Sequence, residues 1–180
     1  MTYKGSEEDR RFVTLSAGEL EQYLSSEALL WRIKNTNLPL TPGNLLLAMT
    51  RLCVVDDLEI NSVVDRLHQL IDMRRTAWEK KVSKELPMRL KQWGNQVDEI
   101  LNEGKLDASY VYQVRTRVII DLLLEEKHYP DEQTRLALAG VDGKLNLIAV
   151  KGEFIWDEVL KDRFPDNRHP SLYLKDKRQL

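Results

Sequence analysis

Two segments place a carboxylate three residues before a histidine, Asp65-x-x-His68 and Glu125-x-x-His128. At that spacing the two side chains share one side of a helix. Two such pairs on facing helices, with one Glu from each of two others, hold a pair of iron or manganese ions inside a bundle. A helical wheel of 100° per residue tests whether they point inward. Leu67 marks the centre of its apolar face, and Asp65, His68 and Asp72 fall roughly 100° to 160° away, toward solvent. Glu125 lies near the line of Val118 and Leu122. His128 stands at a helix end before Pro130, where an imidazolium complements the negative end of the helix dipole. Glu125 and His128 therefore stay as the metal candidates, a di-metal enzyme is a third reading, and no cofactor is expected.

Asp56, Asp57, Glu59 and Asn61 bring oxygen ligands together, but they lack the Gly and the bidentate Glu of an EF-hand loop. An N-cap followed by an acidic first turn accounts for them. Cys53, in Leu52-Cys53-Val54-Val55, reads as an inert small hydrophobe, since a reactive thiolate needs a nearby positive charge and access. No nucleophile elbow, zinc-protease pair, phosphate-cradling loop or dinucleotide turn occurs, and three His without a Cys cluster give no zinc pattern. The residues give no positive reason to assert an enzyme.

The best local charge feature is MRRTAWEKKVSKELPMRLKQW, in which Arg74, Arg75, Lys80, Lys81, Lys84, Arg89 and Lys91 outnumber Glu79 and Glu85. A basic helical surface with Trp78 and Trp93 could hold a phosphate backbone and stack a base. The plainer reading makes it the solvated face of a helix whose tryptophans are core, and the wheel sets Trp93 in register with Leu86, Leu90 and Val97. A second basic cluster, Lys161, Arg163, Arg168, Lys175, Lys177 and Arg178, closes the sequence.

These groups need elements to position them. Residues 1–14, rich in charge, read as a flexible arm. Ser16 and Glu19 have capping-box spacing for a helix over 17–33. Thr41-Pro42 opens a second, buried helix. A third runs from Leu58 or Asn61 toward Lys84, with Pro87 expected to kink or divide it from the next segment, which Gly104 ends. Without a break, Asn61 to Glu103 would reach roughly 60 Å. Asp107 caps a helix over Val111–Leu124 that has little polar face, the expected centre of the fold.

After Pro130 two readings compete. Leu138, Val141, Leu145 and Ile148 fit a helix, the favoured reading, whereas Asp142-Gly143 is a hairpin signal near 136–150. Phe154, Trp156, Phe164 and Tyr173 make an aromatic-rich strap, and residues 175–180 a mobile basic tail.

The chain has 180 residues, 42% hydrophobic and 31% charged, with a net charge of −2. That composition describes a soluble domain with material for one core. Near-neutrality removes the global case for nucleic acid, one cysteine excludes an intramolecular disulfide, and no apolar run is long enough for a membrane span. The expected fold is all-α: a single helical domain over 15–174, of five to six helices. The expected function is that of a cytoplasmic, non-enzymatic interaction or scaffold protein, most simply a homo-dimer. A nucleic-acid-associated protein using 74–91 is the alternative.

Overall fold

Thr41 shows how local chemistry starts an element. Its extended backbone (φ −143°, ψ 159°) lets Oγ1 accept the Asn44 N–H at 3.2 Å, and Pro42, which has no N–H to satisfy, opens the helix. The structure is a computed structural model that describes residues 2–126 and 132–179. In chain order it contains α1 (Ser6–Ser25), α2 (Pro42–Leu52), α3 (Leu58–Met73), α4 (Arg75–Glu103), α5 (Tyr110–Glu126), α6 (Glu132–Leu145), β1 (Ala149–Lys151) and β2 (Leu174–Asp176). Short 3-10 turns occupy Glu158–Arg163, Pro170–Tyr173 and Lys177–Gln179. The fold is all-α apart from β1 and β2, which pair antiparallel with Ala149 opposite Asp176. Contacts divide the chain into two units, one up to Glu85 and one from Leu86 onward.

In the first unit, α1 packs against α2 and α3. The flexible arm expected over 1–14 is corrected: α1 begins at Ser6, and Tyr3, Phe12 and Val13 are buried. The Tyr3 hydroxyl donates to Asp9 Oδ2 at 2.6 Å, which ties the start of the chain down. Ser16 is consequently not a cap; its hydroxyl donates to the Phe12 carbonyl one turn back. The helix ends at Ser25 rather than near Ile33. Trp31 and Leu40 then form an antiparallel bridge, closed by a turn in which Asn35 takes φ +64°. Cys53 is exposed at the end of α2, not packed inside it, because the helix stops one residue earlier.

Of the kink or division expected at Pro87, the division is corrected. The chain divides at Arg74 (φ −114°, ψ 30°), and α4 carries Pro87 in its interior. Pro87 and Ser83, whose carbonyl loses its helical partner, are both exposed, so water can take the freed acceptor.

Glu85 is fully buried and reaches the start of α2. Its carboxylate accepts from the Thr41 hydroxyl at 2.7 Å and from the Gly43 N–H at 2.8 Å. A carboxylate there satisfies an orphan donor and complements the helix dipole.

In the second unit α5 is buried nearly all round, through Val114, Val118, Ile119, Ile120, Leu122 and Leu123, as its apolar composition predicts. Gly104 (φ +65°) ends α4, its N–H bonded to the Ile100 carbonyl at 3.0 Å. Asp142 and Gly143 lie within α6, so the favoured helical reading describes 132–145 and no hairpin forms at this dipeptide. The aromatic strap packs as ring pairs: Phe154 with Tyr173 and Trp156 with Phe164, both at 5.3 Å. Trp156 Nε1 donates to the Val111 carbonyl at 2.9 Å, which fixes the strap to α5.

The mobile tail expected over 175–180 is corrected as well. Asp176 is buried and accepts from Arg178 and from the Leu106 N–H at 2.8 Å. The Arg178 guanidinium, with backbone donors, holds this carboxyl well below the usual range.

Replacing Glu85 with Ala leaves the Gly43 N–H and Thr41 hydroxyl without this acceptor. Urea unfolding is expected to show a loss of about 1–3 kcal/mol, with a smaller loss for Glu85→Gln.

Candidate functional site

The basic stretch is largely occupied by the protein itself. Arg74 Nη2 meets Glu21 Oε1 at 2.9 Å, and Arg75 Nη2 meets Asp72 Oδ1 at 2.5 Å. Lys80 and Lys84 converge on the two oxygens of Glu27, each at 3.0 Å. Their hydrogen bonds and charge lower the Glu27 carboxyl to about 2. Lys81 turns inward: it is 3% exposed, lies 4.3 Å from the Tyr23 ring centroid, and donates to the carbonyls of Ser26 and Ala28. Desolvation, then the charge of Lys84, pulls its ammonium below the ordinary lysine value. Arg89 is buried and donates to Gln92 Oε1 at 3.1 Å, while Lys91 is exposed. Trp78 and Trp93 are fully buried, so neither offers a face for a base.

The metal candidates are not assembled. Asp65 and His68 are both exposed on α3, Glu125 is exposed with Arg168 Nη1 at 3.9 Å, and His128 lies outside the described residues. Among the described residues no group of three or more His, Cys, Asp or Glu is placed to hold a metal ion. Asp57 caps α3, with Oδ1 accepting from Glu59 and Ile60 N–H at 2.9 and 3.1 Å.

The polar cluster that the sequence reading missed lies inside the second unit. Arg117, from the largely buried α5, sends Nε and Nη2 to Asp142 of α6 at 3.0–3.1 Å and Nη1 to Asp121. Asp121 Oδ2 also meets His169 Nδ1 at 3.0 Å, and His169 is 2% exposed against Phe164. Trp93 Nε1 of α4 donates to Asp142 Oδ1 at 3.0 Å. Burial pulls the Arg117 guanidinium down, but Asp121 and Asp142 outweigh it and the net shift is upward. The signal was available in Arg117 and Asp121, an i,i+4 charge pair within an apolar run.

This cluster orients α6. Leu138 and Leu145 are buried on the side that carries Asp142, and Lys144 Nζ meets Asp98 Oδ1 at 2.9 Å. The opposite side is bare. Leu136 is 64% exposed and Leu147 68%. Between them Gly140 and Gly143 have no atom within 4 Å of where a Cβ would stand. On the wheel Leu136, Gly140, Gly143 and Leu147 fall within about 60° of one another. Leu147 belongs to the turn that prolongs the helix, its N–H bonded to the Lys144 carbonyl at 3.0 Å.

Comparison with protein-family models, curated proteins and solved structures finds no match, so function is argued from the chain itself. No helix among the described residues is long and apolar enough to cross a membrane.

Two measurements check this electrostatic picture. The carboxyl of Glu27, followed by NMR, is expected to titrate near 2 rather than near 4.3. The folded value is depressed, so the contribution of the pair is full above pH 4.3 and fades as pH falls toward 2. An ordinary midpoint would mean that Lys80 and Lys84 are free. Arg117→Met is expected to cost about 3 kcal/mol in chemical unfolding, the low end for a broken buried pair because Asp142 keeps 33% side-chain exposure.

Proposed function

We propose that the protein is a cytoplasmic, non-enzymatic helical interaction protein that pairs with a second copy of itself through the outer face of α6. The observation that carries this reading is the symmetric spacing Leu136-x-x-x-Gly140-x-x-Gly143-x-x-x-Leu147 on an exposed face. In a two-fold interface, residue i meets j while j meets i. An antiparallel α6 pair centred between Val141 and Asp142 therefore sets Leu136 against Leu147 and Gly140 against Gly143.

The glycines supply the second half of the argument. Neither has positive φ, and neither makes room for another part of its own chain. Each nonetheless costs α6 roughly 1 kcal/mol relative to alanine. A close helix–helix approach recovers that cost, since small residues let two backbones come together. Leu58, Met73 and Tyr112 are also exposed, but without such a partner pattern: Leu58 is followed at three and four residues by Asn61 and Ser62, and Met73 is preceded at four by Gln69. An exposed cysteine, Cys53, in no disulfide suits a reducing compartment. The occupied state of the basic stretch favours this reading over nucleic-acid binding.

Sedimentation velocity on wild type and on Gly140→Ala/Gly143→Ala separates the possibilities. The double variant is expected to raise monomer stability by about 1–2 kcal/mol while weakening the dimer at least about tenfold. Leu136→Lys is expected to leave only monomer. A wild type that stays monomeric at high concentration, or a dimer indifferent to both changes, contradicts the proposal.

A further inference from the structure

A cavity of about 120 Å³ lies on the inner side of α6, apart from the face argued above. Leu145, Pro170 and Leu174 form its apolar wall, and Arg117, Asp142, Asn146 and Ser171 supply its polar residues. Its size is close to that of a cavity of roughly 150 Å³ that takes up benzene.

Ser171 is the informative residue. It is 7% exposed, and its hydroxyl has no hydrogen-bond partner. Its carbonyl, by contrast, accepts from the Tyr110 hydroxyl at 2.8 Å, which fixes the residue in place. A buried hydroxyl left unpaired is unfavourable, so a molecule that brings an acceptor or donor to it gains selectively. Arg117 does not make the cavity an anion site. Its single positive charge is matched by Asp142 and Asp121, and an entering carboxylate would face both.

We propose that this cavity is a binding site for a small neutral molecule with an apolar body of benzene size and one hydroxyl or carbonyl group, which Ser171 hydrogen-bonds. The inference does not depend on self-association, because none of these residues belongs to the outer stripe of α6. Binding involves no covalent step.

Benzene, phenol and benzoate titrated into the full chain and followed by amide NMR shifts test it. Phenol is expected to saturate with a Kd of about 1 mM, shifting Leu145, Ser171 and Leu174. Benzene is expected to bind about five- to tenfold more weakly, for want of one hydrogen bond, and benzoate more weakly still. Ser171→Ala, a change too small to disturb the fold, should bring phenol to the level of benzene, and Leu174→Trp should fill the space and remove binding of both. Unsaturable shifts with phenol, a phenol affinity unmoved by Ser171→Ala, or a preference for benzoate would each overturn the proposal.

Discussion

A guanidinium can sit inside a protein only if its charge is matched and its N–H groups are taken, and the second unit is arranged around meeting that demand at Arg117. Asp121 comes from the same helix, but Asp142 must be delivered by α6. Rotating α6 by one residue about its axis would withdraw Asp142 and break the bonds from Arg117 and Trp93. The ion pair thus fixes which side of α6 faces inward, and so which side is left to solvent. The outer stripe of Leu136, Gly140, Gly143 and Leu147 follows from that choice.

The same principle recurs at other buried charges among the described residues. Glu85 is taken up by the start of α2, Lys81 by the carbonyls that end the α1 turn, and Asp176 by Arg178 and Leu106. Each group is spent on holding elements in place. Several groups of the basic stretch and the buried charges are therefore structural in the fold, while Asp65, His68 and Lys91 stay exposed on its surface.

Much of the fold was legible from periodicity. The α4 register of Leu86, Trp93 and Val97, the Thr41-Pro42 start, the Gly104 stop and the buried character of α5 are local signals, and they form as the residue types require. The failures share a cause. Residues 1–14 looked like an arm because Glu7, Glu8, Asp9, Arg10 and Arg11 dominate them, yet Tyr3, Phe12 and Val13 are buried in the folded unit. Pro87 looked like a kink or a break, but a helical proline is tolerable where both it and Ser83 are exposed. The basic stretch looked like one surface because its partners Glu21 and Glu27 are over fifty residues away in sequence. The α6 stripe was present in the sequence throughout, but Asp142-Gly143 carries a hairpin signal in the middle of it, and only the tertiary contact to Arg117 decides the matter.

The most direct test concerns geometry rather than mass. On a Cys53→Ser background, Leu136→Cys and Leu147→Cys chains are mixed in equal amounts and oxidised, which leaves the close approach at Gly140 and Gly143 intact. An antiparallel α6 pair centred between Val141 and Asp142 predicts that disulfides joining 136 of one chain to 147 of the other outnumber those joining like positions. Absence of cross-links, or a dominant 136-to-136 product, would contradict that arrangement and the pairing of α6 with it.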